Sequence, residues 1–273
     1  MTSPRPSIGV FDSGFGGLTV LKELVALSPH ADYLYFGDTA RLPYGSKSVE
    51  TVARYAVEAT HFLENRGASL LVIACNTATA LALDRITAAA RVPVVGVVEP
   101  GADQAASASQ NRRVVVIGTE ATVSSHAYLR ALERRGVEAR EKACPLFVPL
   151  VEEGWVDHPV TEQVAQIYLK EAFANGFHDA DVLVLGCTHY PLIKPLLRRV
   201  APAHVKIVDS AHSTANVVAA QIRALPHHAG NDRPAAPAAL RFFATDSVEK
   251  FRRLGPRFLG HPVESVEHVD LKE

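Results

Sequence analysis

The sequence predicts an α/β fold: two similar doubly wound parallel-sheet domains, related by a pseudo-twofold, with an interdomain cleft. Three observations predict it. Short runs of Val, Ile and Leu, polar only at their ends, alternate with longer stretches of helical pattern. Such runs read as strands buried on both faces, as in a parallel sheet covered by helices. The alternation begins again beyond residue 110. Finally, "ASLLVIACNT" (68–77) aligns without a gap on "ADVLVLGCTH" (180–189), with Ala, Leu, Val and Cys in register.

The elements follow in order. "SIGVF" is the first strand and "GGLTVLKELVAL" its helix. "YLYFG" is the second strand, with a helix over 48–66, and "SLLVIA" is the third, with a helix from 77. "VPVVGVV" is the fourth. In the second half, "RRVVVIG" is a strand, "TVSSHAYLRALERRG" one helix, and 160–175 another. "DVLVLG" is a strand, a short helix follows, and "HVKIVD" closes the set. The segment 210–225 reads as a helix, and "LRFFATD" and "VESVEHV" as late strands, with the loop "PHHAGNDRPAAPA" (226–238) between helix and strands. Pro100 and Gly101 break the pattern after "VVGVV" and mark one joint; a second falls near Asp209. The expected domains are 1–98 plus 210–273, and 99–209. Two crossings of the chain make a hinge, and a cleft at a hinge is a common ligand site.

Composition excludes several function classes. Of 273 residues, 48% are hydrophobic and 21% charged, as in a globular protein with a real core. A net charge of −1 gives no reason to expect nucleic acid or an anionic membrane as partner. No apolar run approaches the roughly 18 residues of a membrane span. The start, "MTSPRPSIGVF", lacks the apolar stretch of a signal peptide. Three cysteines argue against a disulfide framework, and a reducing cytoplasm is the expected compartment.

In a parallel sheet the carboxyl ends of the strands line the ligand crevice. Reactive candidates at those ends are Asp12, Ser13, Asp38, Cys75, Asn76, Thr119, Cys187, Thr188 and His189. Cys75 and Cys187 each close a strand and open a helix, where free N–H groups favour a thiolate. A lone cysteine is usually a small buried hydrophobe, and Cys144 in "KACPLF" is read that way. The matched pair calls for another account. A metal held by Cys75, Cys187 and His189 lacks supporting CxxC or HxxxH spacing. A single cysteine nucleophile leaves the duplicate unexplained. Two acid/base groups on opposite faces of one carbon explain it: one takes a proton as the other delivers one, and the stereocentre inverts. "DSGFGGLT" (12–19) is not GxGxxG; its glycines suit a tight turn and close approach to a ligand carboxylate. Pro43, Tyr44 and Gly45 read as a shaped turn with one hydrogen-bonding side chain.

Taken together, "GVFDSGFGGLTVLKEL", "YFGDTARLPYGSKS", "VIACNTATA", "GVVEPG", "VIGTEATVSSHAY", "PLFVPLVEEG", "LGCTHYPLI" and "VDSA" resemble the bacterial glutamate racemases, from residue 8 through "VEHVDL" at 266–271. The resemblance implies two α/β domains with glutamate between them, no cofactor, and D-glutamate supplied for peptidoglycan. It implies Cys75 and Cys187 as the acid/base thiols, Cys75 on the D face and Cys187 on the L face. Asp12 and His189 would tune them, with Glu152 as a third auxiliary group. Substrate contacts would fall to Asp12, Ser13, Pro43, Tyr44, Gly45, Asn76, Thr77, Thr119, Thr122, Thr188 and His189. The expected partner is the small-molecule substrate, and a homodimer is compatible with this reading. Two alternatives stay open: racemisation of aspartate or a related acid, and a non-catalytic amino-acid-binding module using the same hinge.

Overall fold

The structure is a computed structural model that describes residues 5–224 and 237–271. Two separate sheets, parallel throughout, are covered by helices. The first contains β1 (Ser7–Asp12), β2 (Asp32–Gly37), β3 (Leu70–Ile73) and β4 (Val94–Gly96). The second contains β5 (Arg113–Gly118), β6 (Glu138–Ala143), β7 (Val182–Gly186) and β8 (Lys206–Asp209). The late strands β9 (Leu240–Ala244) and β10 (Glu267–His268) return to the first sheet. The orders are β10-β9-β2-β1-β3-β4 and β6-β5-β7-β8. Without its two late strands, the first sheet therefore has the order of the second: second strand, first, third, fourth.

Both faces of the central strands are buried, as their composition requires. In β1, Ile8 and Val10 enter one apolar cluster and Phe11 another; in β5, Val115 and Ile117 part from Val114 and Val116 in the same way. One face of each sheet contributes to a single shared cluster, so the halves are joined by continuous core. Helices α1 (Leu18–Leu27), α2 (Val49–Asn65) and α3 (Asn76–Ala89) cover the first sheet; α4 (Val98–Ala108) follows β4. The second half carries α5 (Glu120–Ser124), α6 (Ala127–Glu133), α7 (Phe147–Glu152), α8 (Pro159–Ala172) and α9 (Lys194–Val200). Helix α10 (Ser210–Ala224) packs on both α1 and α4, and α11 (Val248–Leu259) lies against α1.

The structure corrects several expectations. Pro100 and Gly101 do not break the chain; they lie within α4. Proline is tolerated in a first helical turn because the N–H it lacks has no partner there. The single helix expected over 122–136 is two helices, α5 and α6. They part at His126, which takes a left-handed backbone with φ of 53°. Ser125 Oγ donates to the Thr122 carbonyl at 2.6 Å, offering the backbone an alternative to continued helix. "VESVEHV" contributes only the two residues of β10. Strand β6, "EAREKA", and helices α7 and α11 were not expected. Being a polar edge strand, β6 shows no apolar alternation, while Gly255 and Pro256 interrupt the pattern of α11. Of the expected loop 226–238, residues 226–236 lie outside the described residues.

Candidate active site

Both cysteines sit where a third strand ends: Cys75 just after β3 and Cys187 directly after β7. The local causes differ. Cys75 caps α3, and its sulfur accepts the Ala78 N–H at 3.4 Å. Its thiol donates to Ser13 Oγ, also at 3.4 Å. Cys187 instead enters a tight turn whose short 3-10 segment, Tyr190–Ile193, leads into α9. The Cys187 sulfur lies 4.0 Å from His189 Nδ1.

Charged groups complete each corner. Asp12, at the end of β1, is 1% exposed. Its Oδ2 accepts the Gly14 N–H at 2.8 Å, and Oδ1 is buried without a hydrogen-bond partner among the described residues. Burial raises the carboxyl's pKa, against the opposing pull of the His189 charge and the turn's N–H groups. The Cys75 thiol is pushed up to about 12, first by burial and then by the Asp12 charge. At His189, burial opposes the charged form. The bonds to Cys187 and Glu152, and their charges, outweigh it and lift the imidazole to about 10. His189 Nε2 lies 3.3 Å from Glu152 Oε1, and Lys250 Nζ donates to Glu152 Oε2 at 2.7 Å. Burial alone would raise the Glu152 carboxyl; His189 and Lys250 bring it below its ordinary value.

The glycine turn brings the two corners together. A Cβ on Gly16 would sit 2.5 Å from His189 Nδ1, so only glycine lets the loop after β1 pass over the Cys187 turn. From the first turn of α1, Thr19 Oγ1 donates to the Thr188 carbonyl at 3.2 Å. On the other side, Thr77 Oγ1 lies 2.9 Å from Thr119 Oγ1 and 3.2 Å from Thr122 Oγ1, while Thr119 and Thr122 are 2.9 Å apart. Three hydroxyls from both halves thus meet at one point. Asn76 Oδ1 accepts from Tyr128 OH at 2.7 Å, leaving Nδ2 buried and without a partner among the described residues.

A cavity of about 510 Å³ opens between the halves. Pro43, Gly45, Thr119, Glu152 and Lys250 line it, with Phe15, Leu42 and Val148 among its apolar walls. Asp12, Cys75, Asn76, Thr77, Thr122, Thr188 and His189 are buried, and Cys187 is 6% exposed. Tyr44 lies in the turn that follows Pro43. Its hydroxyl is buried and donates to Asp38 Oδ2 at 2.5 Å, so the side chain braces the turn. The Asp38 carboxylate takes a second bond from Thr245 Oγ1 at 2.9 Å. Sequence reasoning missed Lys250, Tyr128 and Phe258, whose ring meets the His189 ring edge-on at 5.2 Å. The apolar spacing of α11 was partly readable: Phe251, Leu254, Phe258 and Leu259 are buried at helical intervals, although Gly255 and Pro256 fall between them.

The fold and site define an α/β protein with two like-ordered sheets and a cysteine at each third strand end. Residues 8–218 match the family model described as Asp/Glu/Hydantoin racemase, and the chain belongs to this family of isomerases. A glutamate racemase of Koribacter versatilis (strain Ellin345) is 64% identical over 289 residues, covering 99% of each chain. Two solved structures are similar along nearly their whole length. The Thermus thermophilus glutamate racemase in complex with beta-chloro-D-alanine is 45% identical, covering 99% of each chain, with a TM-score of 0.86. The Francisella tularensis glutamate racemase in complex with D-glutamate is 35% identical, covering 98% of each, with a TM-score of 0.88.

Proposed function

We propose that this chain interconverts L- and D-glutamate by moving protons between Cα and two cysteines, Cys75 and Cys187, and so supplies D-glutamate for peptidoglycan in the cytoplasm. One observation carries the reading: the two cysteines occupy equivalent strand ends of two like-ordered sheets, each with its own titratable neighbour. The relatives named glutamate racemase support glutamate over aspartate.

The Cα–H of an amino acid is a very weak acid, and a thiolate is a modest base. The site's electrostatics narrow that gap. A cationic His189, held by Glu152, is the neighbour a Cys187 thiolate needs. Cys75, buried beside the Asp12 charge, is kept as a neutral thiol, able to donate a proton. In this ground state Cys187 abstracts the proton of L-glutamate as the Cys75 thiol protonates the opposite face. The product is D-glutamate, with the proton count of enzyme plus substrate unchanged. Starting from D-glutamate, Cys75 is the base and Cys187 the acid. The carbanionic charge that develops on the substrate carboxylate is met by donors at the interface: the hydroxyls of Thr77, Thr119 and Thr122, the Asn76 Nδ2 amide and the Thr188 hydroxyl. The free Oδ1 of Asp12 suits the substrate ammonium. Pro43, Gly45 and the Tyr44 backbone shape the cavity side, and Ser13 holds the Cys75 sulfur. Residues 1–98 plus 210–273 and residues 99–209 would act as two bodies, closing to exclude water.

The test is incubation with L-glutamate, and separately L-aspartate, in D₂O, following optical rotation and the loss of Cα–H by NMR. Glutamate should racemise with solvent deuterium incorporated at Cα. Activity on aspartate alone would change the substrate, and activity on neither would favour a binding module.

A further inference from the structure

Part of the contact between the halves near the site is made by an element with no counterpart in the second sheet. Helix α11 leads from β9 towards β10 on the first sheet, yet one of its faces rests on the Cys187 corner. Lys250 donates to Glu152. The Arg257 guanidinium lies against Gly154, leaving no room there for a side chain. Phe258 packs edge-on against the His189 ring. Positions 250, 254, 257 and 258 share one helical face, so a single docking event sets all these contacts. Gly154, with φ of 84°, ends the turn that follows α7 and Glu152.

We propose that Lys250 is a positioning residue: from the first-sheet side it holds the Glu152 carboxylate so that its other oxygen stays on His189, completing the Cys187 corner when the halves are together. The inference rests on the reading of Glu152 and His189 given above. A carboxylate that accepts one bond at each oxygen cannot rotate freely, and the imidazole it holds keeps Nδ1 turned to the sulfur. The charged groups facing His189 are Cys187, Glu152 and Asp12; those facing Glu152 are His189 and Lys250. Lys250 is the cation supplied from outside the second half. Its side chain is 38% exposed, so its replacement leaves the core intact.

Five proteins test this: wild type, Lys250→Met, Lys250→Arg, Glu152→Gln and the double variant Glu152→Gln/Lys250→Met. Each is assayed with both glutamate enantiomers across pH, with Cα-deuterated substrate in parallel. Lys250→Met should lower kcat/KM about tenfold to hundredfold, the usual worth of a hydrogen bond to a charged group. The acid limb of its pH profile should move upward, because Glu152 loses the cation that favours its ionised form. Lys250→Arg should restore both. Placed on Glu152→Gln, Lys250→Met should cost nothing further, since the two act as one unit. An unmoved acid limb in Lys250→Met, or costs that multiply in the double variant, overturns the proposal and leaves the Glu152 role standing. A Glu152→Gln protein indistinguishable from wild type removes that role, and the proposal with it.

Discussion

The Cys75 and Cys187 corners share a strand position and little else. Cys75 is held by neutral donors and acceptors, the Ala78 N–H and the Ser13 hydroxyl, with a buried anion, Asp12, close by. Cys187 faces a buried imidazole backed by a carboxylate and an ammonium. A like-ordered sheet thus places two sulfurs in matching positions, while their charged neighbours differ: Asp12, at the end of β1, lies near Cys75, and His189 with Glu152 lies near Cys187. Two faces of one carbon need equivalent access. In the two-thiol reading proposed above they do not need equivalent resting protonation, because one thiol would act as acid while the other acts as base.

The comparison can be broken most severely at the sulfurs. Cys75→Ala and Cys187→Ala should each lower racemisation by ~10²–10⁴-fold, the range of a positioned acid or base. Cys144→Ala, equally buried but bonded only weakly to the Lys142 carbonyl at 3.7 Å, should keep a near-normal rate. Turnover assays on purified variants decide it; a Cys75→Ala protein racemising at the wild-type rate ends the two-thiol reading.

The next test sharpens the asymmetry. His189→Asn and Asp12→Asn should each cost about 10- to 100-fold in kcat/KM, less than either sulfur, as expected for groups acting through another. The free enantiomers are equally stable, so each variant must lose kcat/KM equally in both directions. The difference should appear in the primary isotope effects: His189→Asn should raise that on L-glutamate most, and Asp12→Asn that on D-glutamate. Identical patterns in both variants would show that His189 does not serve Cys187 separately from Asp12 at Cys75.

A separate effect concerns stability. His189 holds its proton up to about 10, whereas its ordinary value is 6.5. The folded protein therefore retains a proton that the unfolded chain releases. The stabilisation is complete below about pH 6.5, falls by up to ~1.4 kcal/mol per pH unit above it, and is gone once pH passes about 10. Urea midpoints should fall across that window in wild type and more shallowly in His189→Asn. Equal slopes would mean that the imidazole is not held charged.

Legibility in the sequence followed range. Strands β1, β2, β3, β5 and β7 declared themselves through apolar runs. Asp12, Cys75 and Cys187 declared themselves by ending such runs, because strand termini and helix starts are local features. The polar strand β6 hid for the complementary reason: an edge strand has no second sheet neighbour and less apolar surface to bury. Tyr44 reads in sequence as the hydrogen-bonding side chain of a turn, but its acceptor, Asp38, is identified only by the structure.

What the sequence determined by itself, then, was the order of buried strands, the repeat of that order, and the placing of one cysteine at each third strand end. Each depends on residues a few positions apart, where periodicity and capping chemistry act. Only the tertiary structure decided which charges those cysteines would meet. Ser13 reaches Cys75 across 62 residues, Glu152 reaches His189 across 37, and Lys250 reaches Glu152 across 98. No local pattern encodes such pairings. They exist because two sheets and a returning helix bury a common core, and the buried charges left at its edge must find partners.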